Sequence, residues 1–508
     1  MPDRAVAQLT EAILERDQPR TTELFFTMVR REGRPLGEAL GVVTAAGAPF
    51  VQVPSHINVR DGQITLINND HTILGLRTSV SLMPYLPEAY RLLPVLQSVW
   101  YIPAGLDIWN QLLGRYPGRY ATMKGLNVPP PSYGPVVWHR EQAPITEAGT
   151  VEERLHAHMI ATMSGDVQRS YGLFLGLAAD PELRPRLRDH LVFLGLIDLQ
   201  DTIAGRKARN TGHKALRARA VIELAEFIGW DRAGGVHYMG VPDLAVGPLY
   251  YSLYDAACVM VTAELPDAGK DLAQTNHAPL TPAEVEEMVA LLMTADAATI
   301  WALLTTHLRN GVSIQSLGDA IQIGAAELIL RTTVGRQFTD GQHPFDYCNT
   351  ANDWLRTTES PYQARVLYLM ASFVNDSARS NKLSTPVLEA EGAPVDGAGR
   401  SPEALLRALD EAILAFDAPR ATAVASAYLA SGADRDAYRA AVAVIACKFQ
   451  DDPHNQKITH STFEEHEHNS THLRDRLLLA SARLLAGWPK MPGERECYAR
   501  FMKEWINN

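Results

Sequence analysis

Ala12-Ile-Leu-Glu-Arg-Asp17-Gln-Pro-Arg-Thr-Thr22 returns near the other end of the chain as Ala412-Ile-Leu-Ala-Phe-Asp417-Ala-Pro-Arg-Ala-Thr422, with seven of eleven positions identical. The phrase reads as helix, turn, helix. Two weaker copies surround Asp166 (Met163-Ser-Gly-Asp166) and Asp296 (Thr294-Ala-Asp296-Ala-Ala). Internal repetition is a statement about architecture before it is one about function.

After each copy come a second helical stretch, a polar turn and a histidine: His56, His213, His343 and His454. The Asp-to-His gaps are 39, 47, 47 and 37 residues. The expectation is a mainly α fold of repeated helical units in two pseudo-equivalent halves, each unit delivering one histidine from an element end. Residues 50–70 break the helical period. His56-Ile-Asn-Val-Arg-Asp-Gly-Gln-Ile-Thr-Leu-Ile alternates around Asp61-Gly62, a turn signal for a small β-hairpin insertion. The units fall at 1–150 (with the hairpin and the proline-rich loop Asn127-Val-Pro-Pro-Pro), 151–280, 281–385 and 400–508, with a Gly/Pro-rich linker over 386–400. Thr281-Pro-Ala-Glu284 reads as a capping box, and Ser401-Pro-Glu403 opens the last unit similarly.

Of the 508 residues, 46 % are apolar and 21 % charged, and the net charge is −11. No basic stripe is present, which argues against nucleic-acid binding. The four cysteines are scattered without a CxxC, as in a reducing compartment. No segment approaches the roughly 18 apolar residues of a membrane span, and Met-Pro-Asp-Arg has no apolar leader, so the expectation is a soluble cytoplasmic protein. There is no GxGxxG, Walker, GxSxG or HExxH sequence.

Histidine is the dense feature, and neutral imidazole is the commonest protein ligand for a transition metal. His56, His213, His343 and His454 are therefore the candidate metal ligands, with His71 in reserve. His156 and His158, two apart, cannot both point inward from a helix. His466, His468 and His472 read as a solvated acidic turn. Four neutral imidazoles leave an ion's charge uncompensated, so an anionic oxygen, for which Asp346 is a candidate, is expected beside them. Tyr133, Trp138, Tyr250, Tyr254 and Trp354 are the candidate lining of an apolar substrate pocket.

The repeated Leu/Ala…Asp helices, the block Gln342-His-Pro-Phe-Asp-Tyr-Cys-Asn-Thr-Ala351 and the His454-x-x-Lys457 spacing together resemble the questin oxidase-like family. That resemblance implies an all-helical fold. It further implies oxidation of polycyclic aromatic polyketides, by Baeyer–Villiger-like or carbon–carbon-cleaving chemistry, at a non-haem iron held by histidines with a carboxylated lysine, so that a modified Lys457 becomes the alternative to Asp346 as the anionic oxygen. Fe(II) is then the expected cofactor, dioxygen the co-substrate and a hydrophobic small molecule the substrate. The residues alone leave two other readings open. One is a non-catalytic α-helical repeat protein that binds a partner; the other is a metal-independent enzyme using His and Asp as acid and base.

Overall fold

The computed structural model describes residues 3–48, 56–60, 63–67, 71–105, 142–199, 212–245, 249, 251–332, 335–382, 401–449, 454–487 and 495–507. Over these residues the chain is mainly α-helical. The quoted phrase builds the same corner three times. In the first, Arg16 takes φ 62°, the Asp17 amide donates to Ala12 O at 3.0 Å, and the Asp17 carboxylate accepts from the Arg20 amide at 3.0 Å. Phe416 at φ 58°, Asp417 and Arg420 repeat all three features. Gly165 at φ 75°, Asp166 and Arg169 repeat them again. One left-handed residue closes the outgoing helix and the next residue caps the incoming one. At Asp296 only the cap is retained, accepting from the Thr299 amide, because the preceding Ala295 is extended. Either cap removed singly, Asp17→Ala or Asp417→Ala, is expected to cost about 1 kcal/mol in a denaturant titration. The conserved geometry predicts equal losses, and unequal ones would show that the corners are not energetically equivalent.

Other local readings also appear in the structure. Thr281 and Glu284 form the reciprocal capping box, at 3.3 and 2.7 Å. Ser401 caps its helix by accepting from the Ala404 amide. His158 is buried while His156 is exposed. Residues His56–Arg60 and Gln63–Ile67 pair antiparallel, with Val59 opposite Ile64. The buried apolar side chains form one continuous cluster that runs from Leu9 through Leu96, Leu191, Leu317 and Leu409 to Trp505.

Four helices position the site: Thr72–Leu82, His213–Ile228, Gly335–Thr357 and His454–His468. They pack as a closed cycle, 72–82 on 213–228, that on 335–357, that on 454–468, and the last back on 72–82. Side chains lock the cycle. Ser79 donates to Gln456 Oε1 at 2.7 Å, and the Gln342 amide donates to the His454 carbonyl at 3.0 Å. Tyr347 donates to Leu196 O at 2.9 Å, and its ring lies where a Cβ on Gly212 would come within 2.9 Å. Gly212 also takes φ 78°, so glycine is required there on two grounds, and it sets the first turn that carries His213.

Candidate functional site

Three of the histidines singled out above meet in the middle of that cycle, and the fourth place is taken by His71. The ring centroids of His71 and His213 are 5.0 Å apart, His213 and His343 5.0 Å, His343 and His454 6.2 Å, and His454 and His71 4.9 Å. All four side chains are buried. His71 caps the 72–82 helix, and His213 and His454 each open theirs. His343 departs from the expected element end. It lies inside the 335–357 helix, which continues through Pro344. A proline there forfeits one backbone hydrogen bond, and the packing of this long helix against its neighbours outweighs that loss.

His56 opens a strand, and its side chain lies outside the described residues, as do Tyr133, Trp138 and Tyr250. The signal for His71 is present in the sequence as a spacing. Counting from each ring histidine, the sixth residue on is Arg77, Arg219, Asn349 or His460, and the tenth is Ser81, Glu223, Asp353 or Glu464. From His56 the same count reaches Gly62 and Leu66. His71 shares the polar register of the other three and His56 does not.

Beside the ring, one helical turn on from His343 and His454, Asp346 Oδ2 faces Lys457 Nζ at 3.3 Å. Both side chains are almost fully buried, at 1 % and 3 %. On the opposite side of the cycle the equivalent positions are Leu74 and Leu216, also buried. The floor of the ring is thus half ionic and half apolar, and the ionic half underlies its widest gap. Burial raises the Asp346 carboxyl above its ordinary value, while Lys457 and Ser461 pull the other way. Burial, reinforced by His343, His71, Lys457 and Arg217, holds His213 well below the usual imidazole range. His213 is therefore neutral, the form that ligates a metal.

A metal would fit the spacing. Two imidazoles on one first-row ion, each bonded at about 2.1 Å, place their centroids roughly 4.6 Å apart at a right angle and about 5.3 Å apart at the tetrahedral angle. Three of the four neighbouring separations fall between those values, and the 6.2 Å gap corresponds to a wide angle. As the side chains stand, no three His, Cys, Asp or Glu among the described residues are arranged to hold an ion. The ring spacing and the neutral His213 suit a metal, and the donor atoms do not converge on one as the side chains stand.

Below the ring lies a lattice of buried charge that sequence reading missed. Arg217 donates to Asp243 at 2.8 Å and Lys214 pairs with Asp198. Arg77 and Arg219 each donate to Glu223 at 2.6 Å, and Arg219 grips both oxygens of Glu464 at 2.6 and 3.0 Å. Asn349 bridges Glu464 and Glu465, and Arg356 holds Glu465 at 3.0 Å. Burial opposes ionisation of Glu223, but Arg219 and Arg77 outweigh it and bring it down to about 2. Burial also lowers His460, to about 4.

The remaining candidates lie elsewhere. Tyr254 and Trp354 do come together, but ring on ring around Phe193, at 5.9 and 5.6 Å. Trp354 is eleven residues past His343, about 16 Å along the helix. His466 is buried, not solvated, because the 454–468 helix continues past it. It sits between Asp475 at 3.0 Å and Arg439 at 3.1 Å. His468 and His472 are exposed. A groove of about 670 Å³ between Tyr85, Pro87, Arg439 and Glu467 is charged at its rim. Among the described residues, no helix is long and apolar enough to cross a membrane. No protein-family model matches the chain, no curated protein matches it, and no solved structure matches it.

Proposed function

We propose that the protein is a metal-dependent oxygenase, with non-haem iron held by His71, His213, His343 and His454. The substrate is a hydrophobic small molecule, and by the resemblance to questin oxidase-like proteins an aromatic polyketide. The observation that carries this reading is the closed ring of four buried histidines at the centroid spacing of a shared first-row ion. A repeated helical unit in two pseudo-equivalent halves accounts for why four separate chain segments each supply one imidazole. Fe(II) would bring the capacity to activate dioxygen, with substrate oxidised by Baeyer–Villiger-like or carbon–carbon-cleaving chemistry.

The chain's own residues divide the other tasks. The imidazoles bind as neutral donors, which burial enforces at His213. Asp346 is the nearby anion that offsets the ion's charge. Lys457 faces that carboxylate at 3.3 Å and favours its ionised form against burial. An ammonium in that place makes the pair neutral, whereas a carboxylated lysine would set two anions against each other in a dry interior. Asp346 is therefore the better source of the anionic oxygen.

A metal-independent acid–base enzyme is the second reading. It is favoured by the absence, among the described residues, of three converged donors, and by an Asp346 whose raised pKa suits proton transfer. Elemental analysis of protein purified without chelator separates the two. The oxygenase reading expects close to one iron or other first-row ion per chain. Metal-free protein with unimpaired turnover would sink it.

A further inference from the structure

The positions six and ten residues beyond each ring histidine form two layers that interlock. Arg77 and Arg219 both bond Glu223, and Arg219 and Asn349 both bond Glu464. Arg219 also reaches Asp353 at 3.3 Å and Asn349 at 3.4 Å. It is 3 % exposed and touches two of the other three ring helices directly. Through Glu223, which takes Arg77 Nε at 2.6 Å, it reaches the third. The two layers stand about 9 and 15 Å along the helix axes from the histidines.

We propose that this charged layer sets the register of the histidine ring and that Arg219 is its positioning residue, an inference that rests on reading the ring as a metal centre. Apolar faces tolerate sliding, since one leucine contact replaces another at little cost. Buried ions do not. A one-residue slip of any ring helix moves its side chains about 1.5 Å along the axis and swings them about 100° around it. That parts Arg219 from Glu464, or Arg77 from Glu223, and strands a charge in the interior. Only one register pairs every ion, and in that register the four histidines meet.

Arg219→Lys tests this. It keeps the charge, and with it the fold, but gives up the fork that engages Glu223 and both oxygens of Glu464. Arg331→Met is the control, since Arg331 pairs with Glu327 outside the lattice at 3.1 Å. Two measurements are made on each full-length variant: Co(II) uptake read from its visible spectrum, and carbethoxylation of the ring histidines by diethyl pyrocarbonate. Arg219→Lys is expected to weaken Co(II) binding about 10–100-fold, to shift its spectrum, and to expose the ring histidines to reagent. Arg331→Met is expected to lower the melting temperature and leave both readouts at the wild-type level. An Arg219→Lys protein with wild-type spectrum and wild-type protection overturns the inference. If the wild type itself takes up no Co(II), the metal reading fails, and the carbethoxylation comparison still decides whether Arg219 positions the ring.

Discussion

His343→Ala is expected to emerge from purification with metal occupancy at least about tenfold below wild type, and with turnover lost in proportion. Its helical circular dichroism should be retained. His343 sits mid-helix between His213 at 5.0 Å and His454 at 6.2 Å, so its loss opens the ring between them. The fold does not depend on it, because the 335–357 helix is anchored by Tyr347, Trp354 and the Arg219–Glu464 lattice. Truncating one buried imidazole should cost about 1–3 kcal/mol, within what a large continuous core tolerates. The matched control is His472→Ala, at an exposed histidine that meets Glu286 at 3.1 Å, and it should keep full occupancy. His466→Ala would be a poor control, since His466 is buried between Asp475 and Arg439 and its loss would destabilise the protein. If His343→Ala and His472→Ala hold metal equally, the ring is not the metal centre.

Much of the fold can be read in the chain because its signals are local. The Asp17 and Asp417 corners, the Thr281–Glu284 box and the Ser401 cap each depend on fewer than ten consecutive residues. His213, His343 and His454 stand out by their distance from the recurring Asp phrase, and the structure brings those three together. Two histidines follow the first helices, His56 and then His71, and His56 is the nearer one. Only the register of residues six and ten positions on, which is a property of a helix and not of a hairpin, favours His71. The buried lattice is illegible for a different reason. His213-Lys-Ala-Leu-Arg-Ala-Arg-Ala-Val-Ile-Glu223 reads as a solvated, salt-bridged helix, yet Lys214, Arg217 and Arg219 are all buried. Their partners, Asp198, Asp243 and Glu464, come from distant segments, so nothing local marks them as interior. Tyr254 and Trp354 show the converse. Aromatics in an interrupted stretch suggest a pocket, and these two are packed on Phe193 instead.

Lys457→Met is expected to be the most damaging single change to stability, at about 3–5 kcal/mol near neutral pH, because it leaves the Asp346 carboxylate buried without its cation. The loss should depend on pH in a definite direction. Burial already raises the Asp346 carboxyl above its ordinary value, with Lys457 pulling it back. Without Lys457 the folded-state value climbs further while the unfolded value stays near about 4. A carboxyl whose pKa is raised on folding binds more protons in the folded state. Its contribution is therefore fully present below the unfolded value and is lost as pH rises through the folded one. The variant should approach wild-type stability toward pH 4 and fall progressively behind above it, as urea titrations across the range would reveal. Adding Asp346→Leu should recover most of the loss, since removing both charges leaves no buried ion to solvate. A deficit that is flat with pH, or a double variant no more stable than the single one, would mean that Lys457 and Asp346 do not form an ionised pair. The same two proteins separate stability from function. The double variant should regain its denaturation midpoint yet still bind iron poorly, because the anion that offsets the ion's charge is gone. If it binds iron as well as wild type, Asp346 has no part in holding the metal.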